Sequence, residues 1–375
     1  MSAFGRRGHR LYKNKGQNLA KREAEMAFLS ISLRILALLA LALFLLSSVC
    51  EAAHRKLVLL PDPRLEALSY HNGPLLTGPS PLHLYFLWYG SFSAAQKQIL
   101  SDFASSFSPS VSAPSVSSWW STAESYTDSS HSHVSSTITL AAQTSVTPYL
   151  PLPLTRGGIA SLLLGAFGTG ALPLDERGIY LVLTGADIAV EGMCVSACGF
   201  HDHLQGNTTT KHSVQEKAHD AGDLHVQVKI GTVNKKTTST NVVFAWVGNS
   251  QHQCPGQCAW PFALPEYGPQ GAVPLVPPNG DVGMDGMVIN LATLLVGAAT
   301  NPRGAGYFQG PPTEPLEAAS ACTGIFGSGA YPGFPGALLT NPHTGASFNV
   351  HGNNGRTFLL PSIWNPMSQT CTPPV

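Results

Sequence analysis

His83–Gly90 reads HLYFLWYG, and the residues that follow, SFSAAQKQIL (Ser91–Leu100), change period at once. The first run is aromatic, of strand length, and stopped by a glycine. In the second, Ser93 and Gln96 have the spacing of a capping box. Ile99, Leu100, Phe103 and Phe107 then recur at helical spacing. A strand that feeds directly into a helix is the first unit of an α/β fold.

The same interleaving continues in both kinds of element. SVSSWWSTAESYT (Ser115–Thr127) reads as a second, shorter helix, and SSTITLAAQ (Ser135–Gln143) as a strand rich in β-branched residues. GGIASLLLGAF (Gly157–Phe167) is a weak helix. GIYLVLTG (Gly178–Gly185) and NVVFAWVGN (Asn241–Asn249) are continuous apolar runs, which suit strands buried on both faces. LHVQVKIG (Leu224–Gly231) alternates and is expected to be half-exposed. The predicted class is therefore α/β or α+β, a mixed sheet flanked by helices. The serine-rich tract Ser101–Ser136 is not expected to be disordered, because Trp119, Trp120 and Tyr126 interrupt it.

Past Pro274 the chain turns to Gly, Pro and small residues around one long helical pattern, GMDGMVINLATLLVGAATNP (Gly283–Pro302). It has no ionisable side chain after Asp285. Val288, Leu291, Leu294 and Leu295 fall close in helical phase, which predicts a buried structural helix in which Leu294→Ala costs about 2–5 kcal/mol. SFNVHGNNGRTFLL (Ser347–Leu360) places Asn354-Gly355 between two strand-like runs and predicts a hairpin.

Charged residues are 11% of the 375 and their formal sum is zero, so nothing favours nucleic acid or an anionic membrane surface as partner. The N-terminal region does carry an address. After Arg34, an apolar run from Ile35 to Val49 leads to small residues at Cys50 and Ala52, the pattern of a secretory signal peptide cleaved after Ala52. The run is short for a membrane span of about 20 residues, and a signal anchor is the alternative. Residues 1–25 are polar and basic, and Met26 is the more natural start, so 1–25 is read as a leader or an extension, 26–52 as the signal peptide, and 53–375 as a single secreted domain. No membrane span is expected in the mature form.

Cleavage removes Cys50 and leaves six cysteines, Cys194, Cys198, Cys254, Cys258, Cys322 and Cys371. An exported chain favours three disulfides over a four-thiolate zinc site. Six cysteines allow fifteen connectivities. Local Cys194–Cys198 and Cys254–Cys258 bridges, leaving Cys322–Cys371, are the expected set. Asn207 heads a glycosylation sequon within HLQGNTTTKHS (His203–Ser213), a polar segment that reads as a surface loop.

No reaction is written plainly in the chain. Ser250 lacks the second glycine of a nucleophile elbow, and Asp281, Gly283, Asp285 and Gly286 only faintly resemble a calcium loop, whose closing carboxylate position holds Ala292. His201-Asp202-His203 is the densest group of possible ligands, to be weighed as a metal or acid/base group against local hydrogen bonding. Glu314 and Glu317 pose the same choice between acid/base work and a solvated surface. No catalytic residue, metal ligand or cofactor is assigned.

Several longer motifs carry a resemblance: YHNGPLL, LYFLWYGSFSAAQKQIL, SWWSTAESY, CGFH, WVGNSQHQCPGQCAWPF, VPPNGDVGMDGMVINLA, ATNPRGAGYFQG and ACTGIFGSGAYPG. From about Tyr70 to the C-terminus the chain resembles the plant EXORDIUM family, also called the phosphate-induced protein family. The resemblance implies a secreted, apoplastic protein linked to brassinosteroid-responsive growth and cell expansion, and it supplies no catalytic residue. It also implies a comparison with EXORDIUM-like relatives that carry His-Glu-x-x-Glu in the long helix, where this chain has Thr293, Leu294 and Gly297. Those three side chains can neither bind zinc nor activate a water. A zincin-like scaffold lacking the metal motif is one expected outcome, with binding of an unknown extracellular ligand, a wall polysaccharide, a protein or a receptor, as the function. An extracellular hydrolase or metallohydrolase acting on wall polymers or peptides is the alternative.

Overall fold

The His83–Gly90 segment is the hub of the structure. The computed structural model describes residues 67–108, 111–207, 227–228, 239–266 and 272–374. The leader, the signal segment and most of Leu224–Gly231 lie outside them. Strands β1 (Ser69–Tyr70), β2 (Leu82–Tyr89), β3 (Ile138–Val146), β4 (Gly178–Thr184), β5 (Gly199–Asn207), β6 (Gln227–Val228) and β7 (Ser239–Gly248) interleave with helices α1 (Ala94–Ser105), α2 (Val116–Glu124) and α3 (Arg156–Gly168). Then come the short helix α4 (Pro255–Cys258), the long helix α5 (Val282–Thr300) and strands β8 (Tyr307–Gln309) and β9 (Leu316–Glu317).

The main sheet has the order β3-β2-β4-β7-β5-β6. β3, β2, β4 and β7 are mutually parallel and β5 is antiparallel to β7, so the sheet is mixed and flanked by helices, as the interleaved pattern predicts. Its continuous apolar strands divide by parity. Leu84, Phe86, Trp88, Leu181, Leu183, Ala245 and Val247 join α1, α2 and α5 in one core cluster. Tyr85, Leu87, Tyr89, Tyr180, Val182, Phe244 and Trp246 join α3 in another. Each strand thus serves two hydrophobic layers, which is why it shows no polar alternation.

The local signals hold where they are stereochemical. Ser93 Oγ accepts from Gln96 N at 3.1 Å while Gln96 Oε1 accepts from Ser93 N at 3.0 Å, closing the capping box. Asn354 and Gly355 have φ of 55° and 71°, and Arg356 N donates to Asn353 O, so the predicted hairpin forms with both residues in a left-handed turn, although the connection between Val350–His351 and Thr357–Phe358 runs from Gly352 to Arg356 and is longer than two residues. The serine-rich tract is ordered by its aromatics. Trp119 and Trp120 donate to the carbonyls of Pro361 and Ser135, and Tyr126 to that of Trp364.

Helix α5 is long and apolar enough to cross a membrane, but 78% of its apolar window is buried inside this fold. Leu291 and Leu295 are fully buried. Leu294 corrects its predicted role: it is only half-buried, because its phase turns it towards β5 beside Gly199, away from the centre of the sheet. Its truncation therefore leaves a smaller cavity than the 2–5 kcal/mol expectation assumes.

The local disulfides are also corrected. Cys194 bonds Cys254 and Cys198 bonds Cys258, with Cα separations of 5.6 and 5.3 Å, while Cys322–Cys371 pairs as expected. Two cysteines one helical turn apart hold their Cβ atoms about 5–6 Å apart, beyond the roughly 4 Å that a disulfide spans. Cys254 and Cys258 on α4 instead present side by side to the chain entering β5, and two parallel rungs result.

The polar segment from His203 is not one loop. His203–Asn207 continues β5 in register with β7, and the rest of His203–Ser213 lies outside the described residues. Backbone pairing with β7, not side-chain polarity, decides the conformation there.

Candidate functional site

The two acidic and imidazole pairs suggested by sequence proximity are both split, and one member of each is brought together. Glu314 is exposed, whereas Glu317, three residues on, is buried. β9 inverts the usual pattern, since Leu316 is 44% exposed while the glutamate points inwards. On β5, Gly199 and His201 face α5, and Phe200 faces the opposite layer against Trp246. His203 is also buried, and its Nε2 lies 3.2 Å from Gln205 Nε2 and its Nδ1 3.5 Å from Asp202.

His201 Nε2 lies 2.9 and 2.8 Å from the two carboxylate oxygens of Glu317. Asn301, the residue capping the C-terminal end of α5, donates its amide to Glu317 Oε1 at 2.7 Å and accepts from Gly306 N at 2.6 Å. Gly297 sits beneath this cluster. A Cβ there would overlap the Glu317 carboxylate and come within 3.0 Å of His201 Nε2. The glycine is therefore a steric requirement of the pair, and Thr293 one turn earlier only returns its hydroxyl to Ile289 O at 2.9 Å.

Burial of His201 disfavours its charged form, but the charge and hydrogen bond of Glu317 outweigh that and raise its pKa above the usual 6.5. The other ring nitrogen, Nδ1, is buried without a hydrogen-bond partner. Such a pair is an internal strut: its carboxylate accepts from two donors within the fold, the His201 Nε2 shared between both oxygens and the Asn301 amide on Oε1. Among the described residues no three His, Cys, Asp or Glu side chains converge as a metal site requires.

The residues of the faint calcium loop have other duties. Asp281 is the N-cap of α5, accepting from Met284 N at 3.0 Å and Gln96 Nε2 at 3.0 Å. Asp285 is buried, and burial pushes its pKa up to about 7 although Asn279 donates to both of its oxygens.

A second polar region was not visible in the sequence. Gln98, Asp102, Asn279, Asn341, Asn354 and Arg356 line an open cleft of about 480 Å³ between α1 and the terminal hairpin. Asp102 is almost fully buried. Its desolvation is outweighed by hydrogen bonds from Arg356 (3.0 Å), Asn354 (2.6 Å) and Gln98 (2.7 Å), which hold its pKa below the ordinary carboxylate value. The carboxylate is thus fixed as an anion against a guanidinium.

These features define a class: an α/β protein with a doubly covered mixed sheet, laced by disulfides, in which the buried Asp102, His201, Asp285 and Glu317 are held by internal partners. Residues 68–374 match the family described as Phosphate-induced protein 1 conserved region, and the chain belongs to that family. It is 43% identical to Protein PHOSPHATE-INDUCED 1 of Nicotiana tabacum, over 88% of this chain and 97% of that one. It is 42% identical to Protein EXORDIUM of Arabidopsis thaliana, over 89% and 98% of the two chains, and 42% identical to Protein EXORDIUM-like 2 of the same plant, over 88% and 96%. No solved structure matches it.

Proposed function

We propose that this chain is exported to the extracellular space and acts there in growth and cell expansion, within a brassinosteroid response, by binding a wall component or receptor and not by catalysis. Export is supported by the Ile35–Val49 run with Ala52 after it, and by cysteines that occur as disulfides. The observation that carries the preference for binding is the state of Glu317. A general base needs a free lone pair aimed at a substrate proton. Here the carboxylate is 11% exposed, His201 bridges its two oxygens, Asn301 donates to Oε1, and Gly297 packs against it from the helix, which leaves a substrate proton little room to approach.

The hydrolase reading would use the same pair, so one preparation tests both parts of the proposal. Protein recovered from the medium of expressing plant cells is expected to begin after Ala52 and to stimulate elongation of responsive tissue. A species that keeps Ile35–Val49 in the membrane would overturn export. Elongation activity lost in a Glu317→Gln variant of unchanged folding would overturn the non-catalytic reading.

A further inference from the structure

The largest aromatic side chains of this protein are buried, among them Trp88, Trp120, Trp246 and Trp364. Tyr331 and Phe334 break the pattern at 65% and 39% exposure. They face each other across a tight turn: Tyr331 N donates to Phe334 O at 3.0 Å and Phe334 N to Tyr331 O at 2.8 Å. Pro332 and Gly333 lie between them, with Gly333 at φ 91°, the residues that a type II turn needs. The ring centroids are 5.1 Å apart with planes inclined by 37°.

The turn is held from below. Ser328 pairs with Ala337, and a side chain at Gly327 or Gly336 would overlap the opposite backbone. Phe326 is 2% exposed against Trp260, and its carbonyl accepts from the buried Asn349 amide at 2.8 Å. Cys322–Cys371 ties the preceding segment to the last strand. Two rings are therefore displayed in water on a backbone that has little freedom left to lose on binding, which favours affinity from a small contact.

We propose that Tyr331 and Phe334 form an apolar platform for the ring faces of a neutral pyranose polymer. This rests on the reading of the chain as an extracellular binding protein and names the chemistry of its ligand. A pyranose ring offers a face of C–H bonds that meets the electron-rich face of an aromatic ring, while its hydroxyls stay in water at the edge. At 5.1 Å the two rings are within the range of an ordinary aromatic pair, so they support each other, and their 65% and 39% exposure is the apolar surface left for a sugar.

Charge selects among polymers. No Asp, Glu, Lys or Arg occurs from Ala318 through Gly355, so this segment offers no counter-charge to an acidic polysaccharide or a nucleic acid. Two rings are also far less than the roughly 800 Å² per partner that a stable protein interface buries. A polymer compensates by presenting the same face many times along its length.

The test uses the full secreted chain, with depletion onto microcrystalline cellulose and affinity electrophoresis in xyloglucan, mixed-linkage β-glucan and polygalacturonate. Retention by at least one neutral glucan is expected, nearly independent of salt, with none by polygalacturonate. Tyr331→Ala combined with Phe334→Ala should weaken it about tenfold or more at unchanged melting temperature, and Tyr331→Trp should preserve it. The platform is overturned if no neutral glucan retains the wild type, if the double variant is retained equally, or if only polygalacturonate binds. It is also overturned if the rings prove to be needed for a protein partner and not for a glucan. Release of reducing ends from a bound glucan would instead overturn the non-catalytic reading and leave the platform standing.

Discussion

His201 and Glu317 are 116 residues apart in the chain and meet through both carboxylate oxygens at the C-terminal end of helix α5. Their side chains are only 12% and 11% exposed. The helix beneath them contributes no ligand, only a glycine small enough to admit the pair.

The first prediction concerns that glycine. Gly297→Ala forces a Cβ into the Glu317 carboxylate, so it is expected to destabilise the fold by about 2–4 kcal/mol through overpacking and displaced hydrogen bonds. Thr293→Ala on the same helix should cost less than about 1 kcal/mol. Denaturant melts of the two variants decide it, and equal stabilities would contradict the steric role given to Gly297.

Stability should depend on pH in a particular direction. His201 has a folded pKa raised above 6.5, so its contribution is complete below that value and lost as pH rises through the raised one. Asp285 is raised from 3.8 to about 7, so its contribution is complete below 3.8 and lost as pH rises through about 7. Asp102, Asp175 and Asp187 are depressed, so theirs are lost as pH falls through their low folded values. The protein is therefore expected to be most stable in mild acid and to lose on the order of a few kcal/mol by pH 8. Glu317→Gln should flatten only the part above pH 6.5. A melting temperature that rises steadily from pH 5 to 8 would contradict both assignments.

The Asp102–Arg356 pair offers a third test. Removing the guanidinium by Arg356→Ala leaves a buried carboxylate with only its two amide donors, at an expected cost of about 2–3 kcal/mol. Asp102→Asn with Arg356→Ala should recover part of it. A double-mutant cycle without coupling would show the pair to be incidental.

Disulfide mapping gives the fourth. A digest that cuts between residues 198 and 254 should yield the Cys194/Cys198 peptide covalently joined to the Cys254/Cys258 peptide, and separate peptides would restore the local pairing. In the loop-entropy model, Cys322–Cys371, with a separation of 49, contributes about 4 kcal/mol. Because the other two bonds close nearly the same loop, deleting Cys198 and Cys258 alone should cost much less than that.

What could be read in advance follows from the range of the interactions. The capping box at Ser93 and Gln96, the Asn354-Gly355 turn and the two-layer strands are set by neighbours a few residues away, and periodicity exposes them. The His201–Glu317 pair is not local, and Leu316-Glu317 hides it further by turning the leucine outwards and the acid in. Asn301 could have been suspected, being a polar residue at the end of an apolar helix just before Pro302. The crossed cysteine pairing depended on how α4 stands against β5, which sequence spacing does not contain, although the Cβ separation along a helix already argued against Cys254–Cys258.

The central claim, that this protein binds and does not turn over its ligand, is tested most directly by product release. Purified secreted protein would be incubated with wall glucans and peptides, with and without chelator, and new reducing ends and amines counted against enzyme. The expected result is fewer than one product per protein molecule, unchanged by chelator and equal in wild type and Glu317→Gln. Sustained multiple turnover that disappears in the Glu317→Gln protein while its fold survives would contradict the account.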